Sequence, residues 1–230
     1  MAKRIWLRLI FLSVLSANAA ANAEAPALPE PQPDIVGEAT DPDTGNTIYL
    51  EHYYCSEDSL KCSVFYLRPN REVIASKELD YASNLKAPAL TFRDYRLDRE
   101  ISIQDPDTNA VVDAGFDNFV RLQWQDLAGG EEIKFPFRLV DREDPIKMRA
   151  SKTEGCEDGK LCLEIELDSW LLGNFVDPIQ LTYEKGSQRL LRFQGISNLK
   201  NDQGRSQTVE IRYRYFDEST VLPDTLDQSR

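Results

Sequence analysis

Alternation of apolar and polar residues with a period of two dominates the chain from about residue 46 onward. In the stretch 208–215, Val, Ile and Tyr occupy every second position, and Glu and Arg fill the positions between them. The same pattern recurs at 161–168 and 179–184. Because successive side chains of a strand point to opposite faces, the pattern predicts strands with one apolar and one wet face, as in antiparallel sheets.

Short polar segments separate these stretches and have the composition of tight turns. They lie at 43–46, 157–159, 185–187 and 201–204, and each combines Gly with Asp, Asn, Lys or Ser. Such turns join neighbouring strands as hairpins. The sequence therefore predicts a mainly β protein with a strongly curved antiparallel sheet, arranged as a partial barrel or a sandwich.

One segment breaks the alternation and favours a helix. Between residues 113 and 129, apolar and aromatic residues recur at steps of three and four, Asp113 is placed to cap the start, and Gly129-Gly130 is placed to end it. We expect one α-helix near residues 113–128 that covers the sheet. Its aromatic side chains either belong to the core or line a ligand pocket; they are Phe116, Phe119 and Trp124.

The N-terminus has the three-part order of a secretory signal peptide. Basic residues at 3–8 precede an apolar stretch at 9–15, and small residues follow up to Ala23. The apolar run is shorter than the roughly 20 residues of a transmembrane helix, and no second run follows. We expect a signal peptide at residues 1–23 that is cleaved after Ala23, with Ala19 as the alternative site. We also expect export to the periplasm and no transmembrane segment in the mature chain.

Composition divides the remaining chain into three parts. Residues 24–45 begin with a run of prolines and are predicted to be a Pro-rich N-terminal tether. The alternating pattern fills residues 46–217, which we predict to be a single β-rich domain. Residues 218–230 are predicted to be a C-terminal tail.

The chain is acidic, and this narrows the range of partners. It has 39 Asp and Glu against 27 Lys and Arg, for a formal net charge of −12. Nucleic-acid binding depends on Lys and Arg that neutralise phosphates. We therefore expect no nucleic-acid partner.

The four cysteines form two close pairs, each around a polar turn. Structural zinc sites have about two to four residues between paired ligands, fewer than here, and a redox Cys-x-x-Cys motif is absent. Facing positions of a hairpin lie within disulfide distance. In an oxidising compartment the pairs predict two disulfides, Cys55–Cys62 and Cys156–Cys162.

The sequence holds little that indicates catalysis. Its one histidine, His52, falls by alternation on the face of Ile48, Leu50 and Tyr54, where we expect a core or rim residue. No Gly-x-Ser-x-Gly elbow and no phosphate-binding glycine loop is present. The Asp-Pro-Asp runs at 41–43 and 105–107 are typical of turns. We expect no metal and no cofactor.

Three segments, 92–96, 112–121 and 190–199, resemble a family of uncharacterised exported proteins of Gram-negative bacteria. The resemblance extends from about residue 47 to residue 215, and its most specific part is Val-Asp-Ala-Gly-Phe-Asp-Asn-Phe-Val-Arg at 112–121. No activity of that family is carried over. The resemblance does imply a set of positions to test for function: Asp94, Arg96, Asp113, Asp117, Arg121, Trp124, Ser197 and Asn198.

Three functional hypotheses follow. The first is a non-catalytic binding protein for an apolar ligand or envelope component, such as a lipid, acyl chain or hydrophobic peptide, because 9 Tyr, 10 Phe and 3 Trp exceed what a small β core needs. The second is a hydrolase of an envelope glycan or ester that uses Asp94, Asp113 or Asp117 as acid or base. The third is a structural or assembly partner in an envelope complex.

Overall fold

The structure is a computed structural model that describes residues 25–30, 32–104, 109–140, 142, 144–169 and 177–216. The predicted signal peptide, residues 1–23, and the predicted tail, residues 218–230, lie outside the described residues.

In the described part of the chain, thirteen strands and two short helices follow one another. The helices are α1 (Gly115–Leu122) and α2 (Trp124–Gly129), between β7 and β8. The strands are β1 (Ile35–Thr40), β2 (Thr47–Cys55), β3 (Lys61–Leu67), β4 (Val73–Asp80), β5 (Ala89–Asp94), β6 (Arg99–Ile103), β7 (Val111–Val112), β8 (Ile133–Arg138), β9 (Ile146–Lys152), β10 (Lys160–Leu167), β11 (Ile179–Glu184), β12 (Leu190–Ile196) and β13 (Thr208–Tyr215).

All of these strands belong to one open sheet, in the order β6-β5-β4-β3-β2-β1-β13-β12-β11-β10-β9-β8-β7. Neighbours pair antiparallel except β7 and β8, which are parallel. Most neighbours are consecutive in the chain, as hairpins require. The predicted fold class, a mainly antiparallel β protein with a helical cover, is confirmed.

Strand β1 corrects the predicted domain boundary. Residues 35–40 were assigned to the tether, yet they pair with β2 on one side and with β13 on the other. The strand is short and includes Gly37, so its own alternation is weak, and one of its two pairing partners, β13, is distant in sequence. The β domain therefore begins at Ile35, and β1 joins the N-terminal strands to the C-terminal ones.

The helical segment differs from the predicted single helix in two ways. It is interrupted at Gln123, and the residue at the N-cap of α1 is Ala114, which makes no side-chain capping bond. Asp113 has a positive φ of 41° and does not cap the helix; its carboxylate turns inward. At the other end, Gly130 ends α2 in the left-handed conformation, as predicted.

The interior contains two separate hydrophobic clusters. The first core is formed mainly by β2–β5 and β13, and includes Val64, Tyr66, Leu79, Leu90, Phe92 and Ile211. The second core is formed by the helices and β8–β11, and includes Phe119, Leu127, Phe135, Met148, Leu163 and Leu181. The half-buried side chain of Phe193 contacts both cores.

A seam between loop 81–88 and the start of the helical segment brings distant parts of the sheet together. The backbone N–H of Val112 donates to the carbonyl of Lys86 at 2.9 Å, and the Nδ2 of Asn118 donates to the carbonyl of Leu85 at 3.2 Å. Loop 81–88 follows β4, whereas Val112 belongs to the edge strand β7. The sheet must therefore curl until these two regions meet.

Both predicted disulfides are confirmed. Cys55 and Cys62 occupy facing positions on β2 and β3, and Cys156 and Cys162 close the turn that leads into β10. Neither α1 nor α2 has the length and apolar character needed to cross a membrane, and no other helix occurs in the described ranges.

Gly115 provides a test of the seam. A Cβ at this position would lie 2.2 Å from the backbone oxygen of Lys86, far inside van der Waals contact. We expect Gly115→Ala to lower the free energy of unfolding by about 3 kcal/mol or more, measured by urea denaturation. The control is Gly129→Ala in α2, whose added Cβ meets no atom within 4 Å. This control should match or slightly exceed wild-type stability, and equal stability of the two variants would contradict the seam.

Candidate functional site

A cavity of about 720 Å³ lies between the two cores. Members of both cores line it: Tyr66 and Leu79 of the first core, and Phe135 and Met148 of the second. The half-buried apolar side chains of its wall come mainly from α1 and the C-terminal strands. They are Phe116, Phe137, Ile146, Ile179, Leu190 and Phe193.

Strand β2 gives the cavity a polar wall. Tyr49, Glu51 and Tyr53 face inward, because they alternate with residues that point to the opposite face of the sheet. The alternation in the sequence favours the other face of β2 as the apolar one. His52 is on that other face, away from the cavity, where its Nδ1 is buried and finds no hydrogen-bond partner among the described residues. Burial and the charge of Arg71 lower its pKa.

Glu51 is the central polar group of this wall. It is 5% exposed, and its Oε2 accepts hydrogen bonds from the hydroxyls of Tyr53 at 2.7 Å and Tyr213 at 3.3 Å. Burial raises its pKa, although these hydroxyls and the charge of Lys77 act in the opposite direction. Burial also raises the pKa of both tyrosines, so they remain protonated donors.

A glycine makes room for this arrangement. Gly37 of β1 lies between Glu51 on β2 and Tyr213 on β13 in the register of the sheet. A Cβ at Gly37 would lie 2.9 Å from the Tyr213 ring and 3.2 Å from Oε2 of Glu51. The two side chains can therefore lie directly over the backbone of β1.

A buried ion pair lies near Glu51. The Nζ of Lys77 on β4 pairs with Oδ2 of Asp113, and the two side chains are 4% and 0% exposed. The Nδ2 of Asn198 donates to the other carboxylate oxygen, Oδ1. Removing two charges from water is costly, so the pair is stable only because each charge compensates the other.

A second ion pair is located on the helical side of the cavity. Arg121 pairs with Asp117 at 2.5 Å one helical turn away, and the hydroxyl of Tyr183 donates to Asp117 at 3.1 Å. The Nε of Arg121 also donates to the carbonyl of Gln188 at 3.2 Å. Burial opposes the charge of Arg121, but Asp117 and the nearby tyrosines outweigh it and raise the pKa.

The cavity reaches the surface where β12 ends. Ile196 is 46% exposed and Asn198 is also exposed, yet both line the cavity. Next to them, Ser197 is buried and its Oγ shares a 2.8 Å hydrogen bond with the hydroxyl of Tyr49. Asn198 therefore connects the solvent-facing rim to the fully buried carboxylate of Asp113.

The structure brings together five of the eight positions that the resemblance implied. Asp113, Asp117, Arg121, Ser197 and Asn198 all line the cavity. Of the three aromatic candidates, Phe116 lines it. Phe119 is instead stacked against Phe135 at a ring distance of 4.5 Å, and Trp124 packs edge-on against Tyr183 at 5.7 Å.

Asp94 and Arg96 form a separate contact outside the cavity lining. Arg96 pairs with Asp94 at 2.7 Å and with Asp202 at 3.0 Å, and it donates to the carbonyl of Lys200 at 2.8 Å. These bonds tie the turn after β5 to the loop between β12 and β13. The geometry is that of a structural clamp.

Sequence reasoning missed Glu51, Lys77 and Tyr213. Lys77 alternates with Ala75 and Leu79 on one face of β4, so the alternation itself placed a lysine in the apolar set. Glu51 likewise alternates with two aromatic residues, Tyr49 and Tyr53, which places it on their face of β2. Because Tyr54 and Leu50 made the opposite face look equally apolar, the pattern did not decide between the two faces.

The acids of the candidate positions differ in their partners. Asp94, Asp113 and Asp117 each have a cationic partner. No group of three or more metal-ligating side chains is found in the described ranges. Glu51 differs from these acids, because no ion pair to it occurs among the residues described.

No family model, curated protein or solved structure matches the chain. The function therefore has to be argued from the cavity itself.

The buried pair can be tested with a double-mutant cycle. Lys77→Met leaves Asp113 charged and unpaired in the interior, so we expect a loss of about 3–5 kcal/mol in unfolding free energy. Combining it with Asp113→Asn should restore much of that loss, because neither charge remains. The surface pair Lys61–Asp80 is the control, with side chains 71% and 44% exposed. Lys61→Met should cost less than about 1 kcal/mol; similar costs at Lys77 and Lys61 would contradict the burial of the pair.

Glu51 predicts a pH-dependent difference between the wild type and Glu51→Gln. The folded-state pKa of Glu51 is raised above the ordinary value of 4.5. The free energy of unfolding of the wild type therefore falls as pH rises above 4.5, because the unfolded chain loses this proton more readily than the folded one. The stability of Glu51→Gln relative to wild type should therefore increase as pH rises above 4.5. Urea midpoints between about pH 5 and about pH 8 measure this difference. Glu57→Gln, on an exposed turn, should stay within about 0.5 kcal/mol of wild type at each pH; a difference for Glu51→Gln that is constant with pH would rule out the effect.

Proposed function

We propose that this protein is a non-catalytic binding protein of the periplasm that holds the hydrocarbon chain of an apolar or amphipathic ligand. The observation that carries the proposal is the 720 Å³ cavity between two separately packed cores. Protein interiors are normally filled to crystal-like density, with few voids larger than a water molecule. A cavity of this size is therefore unusual for a packed core and is typical of a ligand-binding site.

The size and lining of the cavity fit a small ligand. Pockets for small molecules have volumes of about 300–1,000 Å³ and are mainly apolar, with a few placed polar groups. Here the apolar side is built from Phe116, Phe137, Ile146 and Phe193, and the polar side from the Glu51 wall. A hydrocarbon chain in the apolar side would gain about 0.8 kcal/mol per buried CH₂ group.

A hydrocarbon chain fits better than a peptide. A buried peptide needs hydrogen-bond partners for each backbone N–H and C=O group. Peptides usually find these at the free edge of a sheet. The strands at the centre of the cavity wall, β2, β12 and β13, each pair with neighbours on both sides. They offer no edge to an extra strand.

Two features support the periplasm as the compartment. The two disulfides suit an oxidising environment, and the N-terminus has the pattern of a signal peptide. Membership of the exported Gram-negative family remains a prediction from the resemblance. The hydrolase and assembly hypotheses have less support, because the proposed catalytic acids are ion-paired and the large exposed apolar side chains in the described ranges are isolated, at Ile196 and Phe216.

Binding can be tested with two neighbouring substitutions. Leu190 lines the cavity, whereas the half-buried Leu191 next to it does not. Leu190→Trp should fill part of the cavity and weaken binding of an uncharged naphthylamine dye by about tenfold or more, measured by dye fluorescence. Leu191→Trp introduces the same side chain on the same strand and should bind the dye like wild type.

The stability of both variants is measured first, so that only folded protein is compared. Failure of the wild type to bind the dye, or equal weakening by the two tryptophans, would contradict a ligand cavity at this position.

A further inference from the structure

The polar wall of the cavity contains a buried carboxyl group, Glu51, that forms no ion pair with any of the described residues. Glu51 is buried, and the groups that bond to it are the neutral hydroxyls of Tyr53 and Tyr213. The nearest buried cation, Lys77, is already paired with Asp113. Buried charges in proteins are normally paired, because an isolated ion loses its hydration without compensation.

Aromatic rings surround this carboxylate. Tyr53 and Tyr213 meet edge to face with ring centroids 6.4 Å apart, and Tyr49 and Tyr66 meet similarly at 6.0 Å. All four rings line the cavity. Faces of aromatic rings attract cations, and a cluster of such rings is the usual recognition element for ammonium groups.

Gly37 completes the arrangement. It lets Glu51 and Tyr213 recede toward the backbone of β1, because a side chain at Gly37 would contact both of them. The space in front of them is part of the same cavity as the apolar wall. A ligand can therefore place its chain among the phenylalanines and its polar end at Glu51.

Resting on the proposed function, we propose that the ligand is an amphiphile with a cationic ammonium head, held by Glu51 and the tyrosines of β2, β3 and β13. An ammonium group would neutralise the charge of Glu51. It would donate hydrogen bonds to this carboxylate and form cation–π contacts with the tyrosine rings. A carboxylate head would meet the carboxyl group of Glu51 and be repelled once that group is ionised. The acidic character of the whole chain also favours the approach of cations.

Basic residues on the lining define the competing arrangement. Arg142 is exposed and Lys200 is half-buried, and both line the cavity. An anionic head could be held by these residues if the ligand entered with its chain toward the polar wall. The head-group preference of the wild-type protein decides between the two orientations.

The test uses three amphiphiles of equal chain length: dodecylamine, dodecanol and dodecanoate. Each competes with the uncharged dye against wild-type protein at neutral pH, below its micelle concentration; an alkylamine is protonated there. The affinity for dodecylamine should exceed the affinity for dodecanoate by at least about tenfold, and the affinity for dodecanol should lie between the two. This comparison requires no variant.

Variants then assign the preference to Glu51. Glu51→Gln should weaken dodecylamine binding by about tenfold and leave dodecanol within about twofold of wild type. Glu38→Gln on the neighbouring strand β1 is the matched control; Glu38 bonds Thr47 at 2.8 Å and does not line the cavity. It should retain the wild-type preference.

The outcomes separate the two proposals. Tight binding of dodecanol with no preference for the amine, or a preference for dodecanoate, would overturn the ammonium head and leave the ligand cavity standing. Equal loss of amine and alcohol binding in Glu51→Gln would also overturn it. If neither the dye nor any of the three amphiphiles bound, the cavity proposal would fall and the head-group proposal with it.

Discussion

The buried ion pair between Lys77 and Asp113 is the interaction on which the rest of the structure depends. It joins the middle of β4 to the residue that turns the chain from β7 into α1. Asp113 reaches Lys77 from a left-handed backbone conformation with a φ of 41°, which Asp tolerates better than most residues. Because both charges are desolvated, neither can leave the other without a large loss of stability. The pair thus holds the helical segment inside the curled sheet.

A single sheet of thirteen strands creates the need for such a contact. Open twisted sheets rarely exceed about ten strands without curling or splitting. Here the sheet curls, and each half packs its own core, one against the loop after β4 and one against the helices. The two cores meet only in part, since Phe193 bridges them beside the 720 Å³ cavity. The cavity is a consequence of how the sheet folds, and its polar wall is formed where β1, β2 and β13 meet.

Local patterns predicted much of the fold but little of the site. Hairpin turns such as those ending at Gly45, Gly159 and Gly204 have the positive φ that only glycine adopts freely, so their positions are visible in the sequence. The disulfides follow from cysteines that flank such turns. The pairing of β1 with β13, and the contact of the inward face of β2 with Tyr213 of β13, involve residues far away in the chain, which alternation does not encode. Likewise, the local pattern around Asp113 predicts a helix cap. Its actual pairing with Lys77 is a long-range contact that a local pattern does not contain.

The most direct test of the account is the mass of the native protein. The account predicts that native mass spectrometry of protein purified gently from the cell envelope shows an added small-molecule mass. That mass should be lost on denaturation, and it should be absent from Leu190→Trp protein purified in the same way. An unliganded mass, together with an experimental structure in which side chains fill the space between the two cores, would contradict the account.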